Sequence, residues 1–118
     1  MKKLLCICLA VVSLLNACSS ASAVPTPTID FQIVASVGVN YSVLVGTKNS
    51  SDRDGLMSVS NFLCKDSDYC YVYFWNDPFY AANSFPLSTY QEQEMVAAYR
   101  QNITTGQKEL LICSLGEC

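Results

Sequence analysis

The side chains that could perform acid–base chemistry in this sequence are carboxylates, because the 118-residue chain contains no histidine. The missing imidazole removes the commonest general base, the catalytic triads that depend on it, and most catalytic zinc sites. Asp77 with Glu92 or Glu94 lies beside an aromatic-rich loop, and paired carboxylates hydrolyse glycosides. Acidic residues are nevertheless favoured near a helix start, where Glu92 and Glu94 are expected. We therefore predict no catalytic residues, no metal and no cofactor, with a small carboxylate-dependent hydrolase as the alternative.

Four cysteines of the chain are candidates for disulfide bonds rather than for redox or metal chemistry. Cys64, Cys70, Cys113 and Cys118 form no C-x-x-C pair, the spacing that lowers a thiol pKa in oxidoreductases. The short polar or turn-like stretches KDSDY and SLGE favour Cys64–Cys70 and Cys113–Cys118, each worth roughly 2 kcal/mol on the chain-entropy model. A Cys70–Cys113 bridge would close a longer loop, worth about 4 kcal/mol, and stays open as an alternative.

Aromatic side chains are concentrated between residues 69 and 85. Tyr71, Tyr73 and Trp75 alternate onto one face of a predicted strand, and Phe79 and Tyr80 follow in the next loop. Amphipathic aromatic residues are enriched at binding surfaces, because their flat rings give a large contact area at a small entropic cost. We predict these five residues as a binding surface for an envelope protein, a glycan or a peptide, with packing under a helix as the alternative.

The elements that must position these residues are predicted from periodicity. Apolar residues occupy every odd position from Ile29 to Val45, which predicts a hairpin turning at Gly38-Val39-Asn40 with Val37 opposite Tyr41, or one bent strand. Further elements follow in order: a helix over 52–64, a strand over 69–75, a loop over 76–88, a helix over 89–101 begun by a Ser88–Gln91 capping box, and a strand over 109–113. The sequence therefore predicts an α+β fold: a single small domain with a four-stranded, mostly antiparallel sheet and two helices packed on one face.

The first residues have the pattern of a signal peptide, with Lys2 and Lys3 followed by about a dozen mostly apolar residues, too few to span a membrane. Leu15-Asn16-Ala17-Cys18 resembles the lipobox of bacterial lipoproteins. This resemblance implies cleavage after residue 17, a lipid on Cys18 and, with Ser19 in place of aspartate, the outer membrane if the host has two. The rival Ala21-Ser22-Ala23 site would release a secreted or periplasmic protein after Ala23.

The exported part is predicted to comprise a flexible tether over 18–28 and one domain over 29–118, because SSASAVPTPT lacks charge, aromatic residues and periodicity. Without Lys2 and Lys3, five basic residues face ten acidic ones, a net charge of about −5. This acidic balance argues against nucleic acid and against anionic lipid as partners.

Residues 41–113 resemble small exported bacterial domains of no assigned role. The shared features are Phe74-Trp75-Asn76-Asp77 at the end of an aromatic strand, a proline-bearing loop, a helix ending in Tyr99-Arg100-Gln101-Asn102, and Thr105-Gly106 before a leucine-rich strand with cysteine. The resemblance implies domain limits and no catalytic residues. We expect a membrane-tethered, non-catalytic binding or assembly module of the bacterial cell envelope.

Overall fold

The structure, a computed structural model, describes residues 25–118 and consists of a five-stranded sheet with one helix against each face. The strands are β1 (Phe31–Val37), β2 (Asn40–Val45), β3 (Tyr69–Trp75), β4 (Ala97–Asn102) and β5 (Gln107–Ile112). The helices are α1 (Arg53–Cys64) and α2 (Thr89–Glu94), and two short 3-10 helices span Thr47–Asn49 and Cys113–Leu115. The predicted α+β class is confirmed, and the signal peptide, Cys18 and most of the tether lie outside the described residues.

The strands follow one another in chain order across a mixed sheet. β2 and β3 are parallel and are joined through α1, as parallel neighbours require a crossover. The other three pairs are antiparallel. The prediction of four strands was therefore one too few, and the sheet contains a parallel pair.

The β1–β2 hairpin differs from the predicted register. Val37 pairs with Asn40 rather than Tyr41, so the turn has two residues, and Gly38 adopts the φ of 60° that such turns require. A bulge between Ile33 and Ala35 shifts the pairing by one further residue. The two shifts add up to two residues, so that Ile33 lies opposite Val43 instead of Val45, and odd-numbered residues again lie opposite one another on the same face of the sheet.

Helix α1 covers one face of the sheet and builds the main core. Asp52 caps it by accepting a hydrogen bond from the Gly55 amide at 3.0 Å, and Leu56 and Val59 are completely buried. The inward residues of β3 that meet this helix, Val72 and Phe74, are equally buried. The predicted first helix is confirmed in type and extent.

The second helix is much shorter than predicted and lies on the opposite face. The Ser88–Gln91 capping box is present, but α2 ends at Glu94, and β4 begins at Ala97 where the prediction continued the helix to 101. Alternate residues of β4, Ala97, Tyr99 and Gln101, are buried, which is a period of two rather than 3.6. Pairing with β3 and β5 on both sides overrides the local helical propensity.

The structure contains the two short-loop disulfides that the sequence favoured. Cys64–Cys70 joins the end of α1 to β3, and Cys113–Cys118 closes the turn after β5. Arg53 holds this turn with a bidentate contact to Glu117, at 2.7 and 2.8 Å, and donates to the Leu110 carbonyl. Arg53 therefore fastens the C-terminal turn to the start of α1.

Candidate functional site

The face of the sheet opposite α1 is only partly covered. Tyr71, Tyr73 and Trp75 alternate onto this face, because their β3 neighbours Val72 and Phe74 point into the main core. The loop over 76–88 and α2 pack over the Trp75 end of the strand. Towards the other end, Tyr71 and Tyr73 remain half-buried and partly accessible.

Trp75 belongs to the core, so the prediction that it is part of a binding surface was wrong. Its side chain is completely buried against Ala81 and Ala82 of the loop. Its indole Nε1 donates a hydrogen bond of 2.8 Å to the carbonyl of Gln91. No residue of α2 is itself buried, so this bond is a principal link between α2 and the sheet.

A groove of about 700 Å³ lies beside this covered region, and we call it the Tyr73 groove. Its lining comes from β2, β3, the loop, α2 and the C-terminal turn, and consists of Asn40, Tyr73, Phe85, Pro86, Leu87, Glu92, Met95 and Cys118. The Tyr73 and Phe85 rings are 5.8 Å apart between centroids, at an interplanar angle of 42°. The groove therefore combines two aromatic rings and aliphatic walls with one carboxylate and one amide, a composition typical of binding sites.

A smaller depression of about 140 Å³ continues from the groove along the sheet, with Tyr73 common to both. It is lined by Tyr71, Ala98, Arg100 and Leu111, among other residues. Arg100 makes an ion pair with Glu109 across the β4–β5 pair, at 2.8 Å between Nε and Oε2. The predicted binding residues Tyr71 and Tyr73 are thus brought together on an accessible surface.

The surroundings of Tyr73 favour its neutral form. Burial, followed by the neighbouring Tyr71, raises the pKa of the Tyr73 phenol above its ordinary value, with a smaller contribution from Glu92, while Arg100 opposes the shift. The hydroxyl therefore stays protonated throughout the physiological range and can both donate and accept a hydrogen bond.

Phe79 and Tyr80 do not line the Tyr73 groove. Phe79 is 84% exposed, the most exposed large apolar side chain of the described residues, and its ring contacts Tyr80 edge-on at 5.0 Å. With Tyr90 and Gln91 they line a separate depression of about 390 Å³. The five predicted residues therefore divide among two surfaces and the core.

The three candidate carboxylates do not share one site. Asp77 shapes the loop, because its Oδ1 accepts a hydrogen bond from the Phe79 amide at 2.9 Å. Glu92 lines the Tyr73 groove, where it is the one carboxylate of the lining, while Glu94 does not contribute to that lining. Within residues 25–118, histidine, cysteine, aspartate and glutamate side chains form no cluster of three or more that could hold a metal ion.

Part of the groove was not predicted from the sequence. Phe85, Pro86 and Leu87 were assigned to a loop, Met95 to a helix stripe and Cys118 to a disulfide. These residues are distant in sequence and meet only through the fold. The capping box at Ser88 was the available signal, since it fixes where α2 begins and therefore where Glu92 lies.

Comparisons with protein families, with curated proteins and with solved structures find no match to this chain. Within the part of the chain that the structure describes, no helix has the length and apolar character needed to cross a membrane. The function is therefore inferred from the Tyr73 groove and from the disulfides.

Proposed function

We propose that this protein is a membrane-tethered, non-catalytic binding or assembly module of the bacterial cell envelope, and that it binds its partner through the Tyr73 groove. The supporting observation is the incomplete cover of one sheet face, which leaves Tyr71, Tyr73 and Phe85 around an accessible groove. Accessible aromatic residues in a concave site mark surfaces of recognition, because they release water over a large area when a partner binds.

A binding role does not require the pair of catalytic carboxyl groups that hydrolysis requires. Glycoside hydrolysis uses two carboxyl groups on opposite sides of the bond to be broken. Of the candidate carboxylates, Glu92 lines the groove, whereas Asp77 accepts a hydrogen bond from the Phe79 amide within its own loop. Turnover of an envelope polymer that Glu92→Gln abolishes would contradict the non-catalytic proposal.

Exported location is part of the proposal. Two disulfides stabilise a domain that folds in an oxidising compartment, as in secreted and periplasmic proteins. A lipid on Cys18 would keep the domain at the membrane, the outer one where there are two. Growth with a fatty acid analogue should label the wild type and leave Cys18→Ala unlabelled; label on that variant would refute the anchor, and a mature amino terminus at Val24 would favour cleavage after Ala23.

The groove is tested by comparing two tyrosines of the same strand. Tyr73→Leu removes the aromatic ring at the groove and keeps an apolar side chain that can fill the half-buried position. Tyr69→Leu is the matched control, because Tyr69 is exposed at the far end of β3 and lies outside the lining of both depressions.

The assay is capture of envelope components by the tethered protein, quantified for each bound component. Tyr73→Leu should weaken the specific capture by about 1 kcal/mol or more, which is about fivefold. Tyr69→Leu should leave it unchanged. Equal capture by wild type and Tyr73→Leu would show that the partner binds elsewhere.

A further inference from the structure

The charged side chain that lines the Tyr73 groove is acidic. Glu92 is exposed in the first turn of α2 and lines the groove, whereas no lysine or arginine belongs to the lining. The faces of the Tyr73 and Phe85 rings carry the negative part of the aromatic quadrupole. A group that enters the groove therefore meets the negative charge of Glu92 and can contact the two aromatic rings.

The nearby cation does not compensate this carboxylate. Arg100, which lines the adjoining depression, is paired with Glu109 at 2.8 Å. The second ion pair within residues 25–118 joins Arg53 to Glu117, at the start of α1. Glu92 belongs to neither pair, so its charge is available to a ligand.

The rest of the groove is suited to an aliphatic stem. Leu87, Pro86 and Met95 supply apolar walls, and beside Glu92 the polar side chains of the lining are the Asn40 amide and the Tyr73 hydroxyl. A sugar ring would bring many hydroxyl groups that each need a partner. A lysine or arginine side chain instead places methylene groups against apolar walls and its charged end at a carboxylate.

We propose that the Tyr73 groove binds a lysine or arginine side chain of a partner polypeptide, with the cation between Glu92 and the faces of Tyr73 and Phe85. This inference rests on the proposed binding function and specifies its ligand. Cation–π contact requires the charge within about 6 Å of a ring centroid, and the Tyr73 and Phe85 rings, which pack against each other at 5.8 Å between centroids, both line the groove beside Glu92. The overall acidic charge of the exported chain would also speed the approach of a basic partner.

The direct test follows the methionine methyl groups of the protein by NMR. Met95 lines the groove, whereas Met57 packs on α1 against the other face and serves as an internal control. The probe is the peptide acetyl-Leu-Lys-Leu-amide, compared with the same peptide carrying acetyl-lysine, which keeps the stem and removes the charge. Titration of the purified protein with the lysine peptide should shift the Met95 signal saturably and leave Met57 in place.

Two carboxylate variants separate a local contact from overall charge. Glu92→Gln and Glu94→Gln remove one charge from the same helix, but only Glu92 lines the groove. The lysine peptide should bind Glu92→Gln at least fivefold more weakly than wild type and should bind Glu94→Gln within twofold of it. The acetyl-lysine peptide should bind the wild type at least fivefold more weakly than the lysine peptide.

Three outcomes would overturn the inference. An unchanged Met95 signal means that the groove does not bind the basic side chain. Equal affinity for both peptides means that the groove accepts apolar stems without regard to charge, which leaves the binding function intact. Equal weakening by Glu92→Gln and Glu94→Gln means that only net charge matters. Failure of the binding function itself is recognised separately, when Tyr73→Leu retains full capture of the partner.

Discussion

Replacement of Trp75 by phenylalanine tests whether this residue holds α2 on the sheet. The side chain is completely buried, and its Nε1 donates the 2.8 Å bond to the Gln91 carbonyl. Loss of one such hydrogen bond costs about 1 kcal/mol. The smaller ring also leaves part of the space against Ala81 and Ala82 unfilled, and since full truncation of a core tryptophan to alanine costs about 3–5 kcal/mol, this partial truncation should cost about 2 kcal/mol. We expect a total loss of about 3 kcal/mol.

Urea denaturation followed by circular dichroism measures this loss, because Trp75 is the one tryptophan of the chain and its fluorescence disappears with the substitution. Tyr90→Phe is the control, since Tyr90 lies on α2 but is 73% exposed and should change stability by less than about 0.5 kcal/mol. A loss below about 1 kcal/mol for Trp75→Phe would refute the buried position and the hydrogen bond together.

The same variant carries a prediction about binding. Trp75 does not line the Tyr73 groove, but α2 carries Glu92 and leads directly into Met95. If the indole holds α2, amide hydrogen exchange at the helix should accelerate in Trp75→Phe, and the lysine peptide should bind more weakly. Unchanged exchange along α2 would show that the capping box alone keeps the helix in place.

Three further substitutions have outcomes that follow from single contacts. Gln101→Leu should cost about 2–4 kcal/mol in thermal unfolding, because it leaves the buried Tyr99 hydroxyl without its acceptor and removes the amide that donates to the Ser67 carbonyl and, with the Ser67 amide, to the Cys64 carbonyl; a cost below about 1 kcal/mol would contradict this network. Glu117→Gln should destabilise the protein at neutral pH and not in acid. The hydrogen bond from Arg53, and then that from the Ile112 amide, lower the pKa of Glu117. The stabilisation that Glu117 provides is therefore present above the ordinary carboxyl pKa and disappears as the pH falls through the lowered pKa. A difference between Glu117→Gln and wild type that persists below that range would refute the assignment. Phe79→Ala should change stability by less than about 0.5 kcal/mol in the same unfolding assay, since its ring is 84% exposed, and a larger loss would place it in the core.

Local signals predicted the parts of the fold that depend on neighbouring residues. Apolar residues at helical spacing predicted α1, and the S-x-x-Q sequence at Ser88 predicted the start of α2. The turn-like stretches between closely spaced cysteines predicted both disulfides. Each of these features is determined within about a dozen residues, which is the range over which sequence patterns act.

The errors arose where distant strands decide the structure. The segment that begins at Met95 contains apolar residues compatible with either period, and it becomes β4 because β3 and β5 pair with both of its edges. The hairpin register was wrong because the two-residue turn and the bulge in β1 each shift the pairing by one residue in the same direction. Trp75 looked like a surface residue because the alternation of β3 does not show that Ala81, Ala82 and the Gln91 carbonyl lie against its side chain.

The candidate site was predicted only in part, because some of its residues follow a local pattern and others are brought together by distant segments. Tyr71 and Tyr73 could be identified from the alternation of β3, which is a local pattern. The walls of the Tyr73 groove come from Phe85, Glu92 and Cys118, which are brought together by the loop, by α2 and by the turn that Arg53 fastens. No pattern within any one segment indicates that these residues meet.

The first described residues show on which side of the domain the preceding chain is attached. The amide of Thr28 donates to Ser58 Oγ on α1 at 3.1 Å, and Ile29 lies so close to Gly55 that a Cβ there would come within 2.6 Å of its Cγ2. The chain therefore joins the domain on its helical side, opposite the Tyr73 groove. From Cys18 to Pro25 the chain advances seven residues, which reach about 25 Å at full extension. With a lipid on Cys18, the domain would stay within about this distance of the bilayer, and the tether would not cross the face that carries the groove.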